Sequence, residues 1–138
     1  MSQSKPISRH AAAARFAEQF RAPVHQPFLM EGSNGKAALF VHGFPGTPAE
    51  MRPMAEAFHQ QGWTVSGILL PGFGAQIETL ALRTHQEWTA AVHQGLADLR
   101  TRFQRVVLVG FSLGGALSVQ AAVSGGADLR TAPVDPPD

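Results

Sequence analysis

Ser112 is the residue whose surroundings in this sequence best suit chemistry. It is the centre of Gly-Phe-Ser-Leu-Gly at 110–114, between a valine-rich run at 106–109 and an alanine-rich helical pattern at 113–123. A strand, a sharp turn and a helix in this order expose a serine hydroxyl as a nucleophile, in a strained backbone conformation. The five-residue match alone also fits a serine that only caps a helix. Its position between a strand and a helix favours the nucleophile.

A serine nucleophile also needs a base, and hydrogen-bond donors for the negative charge that develops on its substrate. The backbone N–H of Leu113, at the start of the helix, points to where an oxyanion would form. A second loop, His-Gly-Phe-Pro-Gly at 42–46, follows the apolar run 37–41, and the N–H of Phe44 is its natural second donor. We expect His42 to hold this loop and not to transfer a proton.

Three glycines are assigned, with His42, to supporting the two loops. Glycine has no side chain, so it allows a strand, a turn and a helix to pack closely. The supporting glycines are Gly43, Gly110 and Gly114.

The apolar pattern predicts an α/β fold that would position these loops. Continuous apolar runs, typical of strands buried on both faces, alternate with helical stripes, so we expect a mostly parallel sheet with helices on both faces. The predicted strands are 28–30, 37–41, 65–70 and 106–109, and the predicted helices are 11–20, 48–61, 85–103 and 113–123.

Two of these helices begin with a predicted capping box. In a capping box a threonine hydroxyl and a glutamate three residues later each accept a hydrogen bond from the other's backbone N–H. The pairs are Thr47 with Glu50 and Thr84 with Glu87. The helix after Thr47 then carries a stripe that we expect to face the core, namely Met51, Met54, Ala55 and Phe58.

The composition limits the classes of function. The 138 residues, 44% apolar and 15% charged, are typical of one globular domain. A net charge of +1 gives no reason to expect nucleic acid or an anionic membrane as a partner. The sequence has no cysteine and no histidine spacing typical of zinc sites, so we expect neither a metal nor a cofactor. Without a secretory signal or a membrane-length apolar run, a cytoplasmic protein is expected.

Four segments together resemble the α/β-hydrolase fold family, and within it the carboxylesterase and monoacylglycerol-lipase-like group. They are 42–48, 69–74, Trp88 and 110–115, in the family's order and at its spacing, and the resemblance covers about 25–124. It implies hydrolysis of carboxylic esters through an acyl-enzyme on Ser112, without a cofactor. It also implies an oxyanion hole made by the N–H groups of Phe44 and Leu113. Phe73 stands where the family commonly has histidine.

The resemblance divides the chain into an N-terminal helical extension (1–24), the N-terminal part of an α/β-hydrolase domain (25–124) and an irregular tail (125–138). In this fold the catalytic acid and then the histidine follow the serine, beyond later strands that this sequence lacks. No histidine follows Ser112, and the aspartates of the tail, Asp128, Asp135 and Asp138, have no strand context. A base could come from a histidine before Ser112 only in another topology. The histidines concerned are His10, His25, His59, His85 and His93. We therefore expect a truncated fragment that lacks the triad acid and histidine and is inactive alone.

Other interpretations stay open. The same fold serves peptidases, acyltransferases and perhydrolases, which the serine does not separate. The chain could instead be a non-catalytic binding module that pairs through an exposed sheet edge at 106–109, or a complementing chain could supply the missing half. The expected partners are a small-molecule ester by lineage, and a second copy or a complementing chain at that edge.

Overall fold

A four-stranded mixed sheet organises residues 8–124, the part of the chain described by a computed structural model. Its strands are β1 (Phe28–Met30), β2 (Ala37–Val41), β3 (Thr64–Ile68) and β4 (Val106–Gly110), in the order β1-β3-β2-β4. β1 is antiparallel to β3, and the other two pairs are parallel. The predicted tail at 125–138, with its aspartates, lies outside the described residues.

Four α-helices accompany the sheet within the described residues. They are α1 (Arg9–Glu18), α2 (Arg52–Gln60), α3 (His85–Arg100) and α4 (Leu113–Ser124). Short 3-10 segments are Gln19–Arg21, Pro23–His25 and Pro48–Met51, and a longer one is Gly74–Leu82. The capping box predicted for α3 is confirmed, because Thr84 and Glu87 each accept from the other's N–H at 3.3 Å.

Helices cover both faces of the sheet, which confirms the α/β fold that the apolar runs predict. Alternate residues of β2 point to opposite faces. Ala37, Leu39 and Val41 pack with α3 and α4. Ala38 and Phe40 pack on the other face, with α2. All five are at most 1% exposed, so β2 is the centre of the fold.

The strand order changes direction at β2. The crossover through α2 places β3 on one side of β2, and the crossover through α3 places β4 on the other. The carboxyl ends of β2 and β4 are level, because Val41 lies opposite Gly110 and the N–H of Phe111 donates to the carbonyl of Val41 at 3.2 Å. Ligand sites of open parallel sheets lie in the crevice at such a switch point. The two loops identified from the sequence follow these two strand ends.

The segments around β3 differ from the prediction. β3 ends at Ile68 and not at residue 70, because the N–H of Leu70 donates to Nε2 of His42 at 3.0 Å. The loop predicted before α3 is largely the 3-10 helix Gly74–Leu82, which packs against α1.

The capping box predicted for α2 does not form. The hydroxyl of Thr47 accepts from the N–H of Ala49 at 3.2 Å, and the helix is entered through the 3-10 segment Pro48–Met51. The carboxylate of Glu50 instead accepts from the N–H of Gly43, seven residues earlier. Glu50, which the sequence assigns to the cap of the helix, therefore hydrogen-bonds to the loop after β2 instead.

Met54 is not a core residue within the described part of the chain, which corrects one member of the predicted stripe. Its side chain is 51% exposed, whereas Met51 and Ala55 are buried. α2 lies over β2 and β3, so Met54 is left beside β4. There it lines a cavity of about 260 Å³ together with Val109 and Phe111.

The segment before β1 is tied to the start of α2. Nδ1 of His25 lies 2.7 Å from the hydroxyl oxygen of Thr47. The guanidinium of Arg52 donates to three carbonyls of the same segment, those of Pro23, Val24 and Gln26. The N-terminal segment is thus packed against the connection that leads from β2 into α2.

Candidate active site

Ser112 lies on the surface in the turn between β4 and α4. Its φ is 56°, and among residues 8–124 it is the one residue other than glycine with a positive φ. This left-handed conformation costs about 1–2 kcal/mol for a residue with a Cβ. The surrounding packing therefore has to hold the serine in place.

Close packing at the two predicted glycines holds this turn. A Cβ on Gly114 would overlap the carbonyl oxygens of Val41 and His42, and a Cβ on Gly110 would overlap the carbonyl of Gly114. α4 therefore begins directly against the ends of β2 and β4. A larger residue at either position would push the helix away from the sheet.

The loop after β2 approaches the serine at Gly43. A Cβ on Gly43 would lie 3.0 Å from the Cβ of Ser112 and 2.9 Å from the carbonyl oxygen of Phe111. Within residues 8–124, neither the N–H of Phe44 nor that of Leu113 has an acceptor. Two free backbone donors therefore belong to the loops that meet at Ser112.

His42 is fully buried behind this loop. Its Nδ1 lies 2.9 Å from the carbonyl oxygen of Gly43, and its Nε2 accepts from the N–H of Leu70, so Nδ1 carries the proton and donates to Gly43. Burial lowers the pKa of His42, against the opposing effects of the Gly43 carbonyl and the Glu50 carboxylate, and this favours the neutral ring. Both ring nitrogens are engaged, and neither is free to take a proton from Ser112.

Phe73 lies at the centre of the aromatic packing beneath the loop. Its ring is fully buried and meets those of His42 at 5.1 Å and Phe44 at 5.8 Å, both edge to face. On its other side it lies 5.9 Å from the ring of Trp88, whose Nε1 donates to the carbonyl of Pro71. The sequence marks Phe73 only as a departure from the family pattern, and the structure gives it a supporting role beside His42.

Glu50 is the residue at this loop that the sequence assigns to another task. Its Oε1 accepts from the N–H of Gly43 at 2.5 Å. The carboxylate also lies across the turn at Gly46, where a Cβ would come within 2.5 Å of Oε1. A glutamate three residues after Thr47 is typical of a capping box, so the sequence carries no separate indication of this second partner.

Within the described part of the chain, no acid or base is hydrogen-bonded to the hydroxyl of Ser112. Three histidines form hydrogen bonds elsewhere: His25 with Thr47, His59 with the carbonyl of Glu31, and His93 with Ser124. Within residues 8–124 no hydrogen bond joins the hydroxyl of Ser112 to a histidine or a carboxylate, and no group of three possible metal ligands occurs.

The fold and the candidate site define an α/β protein in which the two loops that meet at Ser112 follow β2 and β4. The model of the alpha/beta hydrolase family matches residues 38–138, which is most of the chain. The chain belongs to this family, and the resemblance drawn from the sequence is confirmed. None of the helices between residues 8 and 124 is long and apolar enough to cross a membrane.

Two curated relatives are similar over most of this chain. It is 41% identical over 98 residues to the thermostable monoacylglycerol lipase of Bacillus sp. (strain H-257). It is 29% identical over 96 residues to a carboxylesterase of Bacillus subtilis (strain 168). These matches cover 70% and 69% of this chain but 38% and 39% of the relatives, so the chain spans about two fifths of their length.

A solved structure from work on LipS and LipT, two metagenome-derived lipolytic enzymes, has the same fold over the shared region. The TM-score is 0.70 at 34% sequence identity. The superposition covers 80% of this chain and 49% of that structure. The chain thus corresponds to about half of a lipolytic enzyme's fold.

Proposed function

We propose that this chain carries the nucleophile side of a serine hydrolase of carboxylic esters, with Ser112 as the nucleophile. The observation that carries the proposal is the exposed serine with a positive φ at the switch point of the sheet, with Gly43 packed against it. Membership of the alpha/beta hydrolase family supports a hydrolase. The relatives named as a monoacylglycerol lipase and a carboxylesterase support an ester as the substrate.

The proposed reaction passes through an acyl-enzyme. Oγ of Ser112 forms a bond to the ester carbonyl carbon, and an electron pair moves onto the carbonyl oxygen. The free N–H groups of Phe44 and Leu113 donate to this oxyanion and stabilise it. Its collapse expels the alcohol, which takes up the serine's proton through a base, and water then releases the acid and restores Ser112. This route uses no cofactor.

We further propose that the 138-residue chain does not turn over esters by itself. A serine hydroxyl at neutral pH needs a base, and His42, the histidine in the loop beside Ser112, has both nitrogens engaged. Without a base, the oxyanion donors and substrate binding retain only a small part of an enzyme's rate.

A chimera tests the role of Ser112 independently of that second proposal. The 98 matched residues of the Bacillus sp. monoacylglycerol lipase are replaced by those of this chain, and hydrolysis of a p-nitrophenyl ester is measured. We expect hydrolysis that Ser112→Ala abolishes. Ser118→Ala is the matched control, because Ser118 is buried on α4 and donates to the carbonyl of Gly114. The assignment would be overturned if the folded chimera does not hydrolyse the ester, or if Ser112→Ala leaves its hydrolysis unchanged.

A second candidate is a binding module that pairs through β4. Within residues 8–124 this strand is at the edge of the sheet, and the side chain of Val107 is 44% exposed. The neighbouring helix α4 also leaves Val119 and Val123 exposed. An uncovered edge beside apolar side chains favours pairing with a second copy or a complementing chain. Sedimentation equilibrium tests self-pairing: a dimer that Val107→Lys dissociates supports it, and a monomer at all concentrations contradicts it.

A further inference from the structure

Gly43, which packs against Ser112, needs other residues to fix its backbone. Gly43 has no room for a side chain, because a Cβ there would press on Ser112 and Phe111. Glycine is also the residue whose backbone is least restrained. Two side chains supply the restraint: Glu50 accepts from the N–H of Gly43, and His42 donates to its carbonyl. Both peptide groups that flank Gly43 are therefore held.

The orientation of these two peptides decides where the next N–H points. The bond between Gly43 and Phe44 is trans, so the N–H of Phe44 points away from the carbonyl of Gly43. His42 holds that carbonyl on the buried side of the loop. The N–H of Phe44 is therefore turned to the opposite, open side, provided that Gly43 keeps its backbone conformation.

We propose that Glu50 is a positioning residue for the loop 42–46. Its carboxylate fixes the peptide between His42 and Gly43, and in this way maintains the direction in which the N–H of Phe44 is presented to a substrate oxyanion. This inference rests on the proposed function, which assigns the N–H of Phe44 to the oxyanion.

Substitutions at Glu50 can separate the acceptor from the charge. A carboxylate is a stronger acceptor than a neutral amide, although a negative charge near a developing oxyanion is unfavourable. Glu50→Gln keeps an acceptor oxygen without the charge, whereas Glu50→Ala removes the acceptor. Glu56→Ala is the matched control, because Glu56 is an exposed glutamate of α2, six residues after Glu50.

Amide hydrogen exchange of the full 138-residue chain, followed by NMR, tests the proposal. We expect the Gly43 amide to exchange about tenfold faster in Glu50→Ala, equivalent to about 1.4 kcal/mol. The resonance of the Phe44 amide should move at the same time, and Glu50→Gln should restore most of the protection at Gly43. The amide of Leu39, in the buried strand β2, reports whether overall stability has changed. Equal Gly43 exchange in Glu50→Ala and Glu56→Ala overturns the proposal.

Glu50→Asp keeps the proposal testable if Glu50→Ala does not fold. This variant retains the carboxylate on a side chain one methylene shorter, so we expect the Gly43 amide to exchange faster than in Glu50→Gln, which keeps the length of the side chain. Equal Gly43 exchange in Glu50→Asp, Glu50→Gln and Glu56→Ala overturns the proposal. None of these measurements depends on Ser112 being a nucleophile, so a failure here is distinct from a failure of the chimera.

Discussion

The two sides of Ser112 differ in how completely they are built. On the side of β2, Gly43 is packed against the serine and held by His42 and Glu50. On the outer side of β4, Val107 and Phe111 are 44% and 62% exposed. The strained serine and its proposed oxyanion donors are thus held by β2, β4, α4 and the 3-10 segment Pro48–Met51. Presenting a nucleophile and activating it are separate tasks, and the proposed function assigns only the first to the described residues.

The largest effect is expected where α4 meets the end of β2. In Gly114→Ala the new Cβ would overlap backbone carbonyl oxygens, which cannot move without displacing the strand. We expect a loss of more than about 3 kcal/mol in the free energy of unfolding. Chemical denaturation measures it.

Gly115→Ala is the matched control for this substitution. A Cβ on Gly115 would meet nothing closer than the carbonyl oxygen of Gly110 at 3.4 Å. Alanine in a helix should then stabilise the chain by about 0.5–1 kcal/mol. Equal stabilities of the two variants would contradict the close packing of the turn.

The next largest effect is expected at His42. His42→Ala would leave the N–H of Leu70 and the carbonyl of Gly43 without their partners, at a cost of about 3 kcal/mol. His85→Ala, at the exposed start of α3, is the control and should cost less than about 0.5 kcal/mol.

His42 also predicts a dependence of stability on pH. Its pKa in the folded chain is lowered from the usual 6.5, so below about pH 6.5 the unfolded chain binds a proton that the folded chain does not. The free energy of unfolding should therefore fall as the pH drops below about 6.5, by up to about 1.4 kcal/mol per pH unit. Denaturation between pH 7.5 and about 5 should show this component in the wild type. If the same fall in stability with pH persisted in His42→Ala, another group would be its cause.

A smaller effect of opposite sign is expected at the serine itself. Ser112→Gly should relieve the cost of the positive φ, whereas Ser112→Ala retains it. We expect the glycine variant to be about 1 kcal/mol more stable than the alanine variant. Thermal unfolding of the pair measures the difference, and a less stable glycine variant would argue against backbone strain at this turn.

The smallest effect on folding is expected beyond β4. Val107→Lys should change the free energy of unfolding by less than about 0.5 kcal/mol, because the valine is already partly in water. Val41→Lys, in the fully buried strand, should unfold the chain. A loss above about 1 kcal/mol in Val107→Lys would show that this side of the serine is more tightly packed than its exposure indicates.

The elements that present Ser112 could be predicted because their information is local. β2 and β4 are short apolar runs, and the glycines of the 110–114 turn stand at fixed distances from the serine. Their boundaries in the structure lie within a residue of the prediction. Pattern and turn chemistry are enough wherever one segment determines its own conformation.

The parts that could not be predicted depend on contacts between segments. Glu50 fits a capping box locally, but the fold brings the N–H of Gly43 within its reach. Met54 continues an apolar stripe, but its exposure depends on where α2 crosses the sheet. Leu70 continues the apolar run of β3 in the sequence, but its N–H donates to His42 and not to a neighbouring strand. In each case tertiary placement outweighs local propensity.

Labelling with a fluorophosphonate probe tests most directly the claim that this chain presents a nucleophile without activating it. The folded 138-residue chain is compared with Ser112→Ala and with a heat-denatured sample. We expect the folded wild type to label no more than either control, while its circular dichroism shows an intact fold. Labelling that requires both the fold and Ser112 would mean that a base reaches the serine, and would contradict this claim.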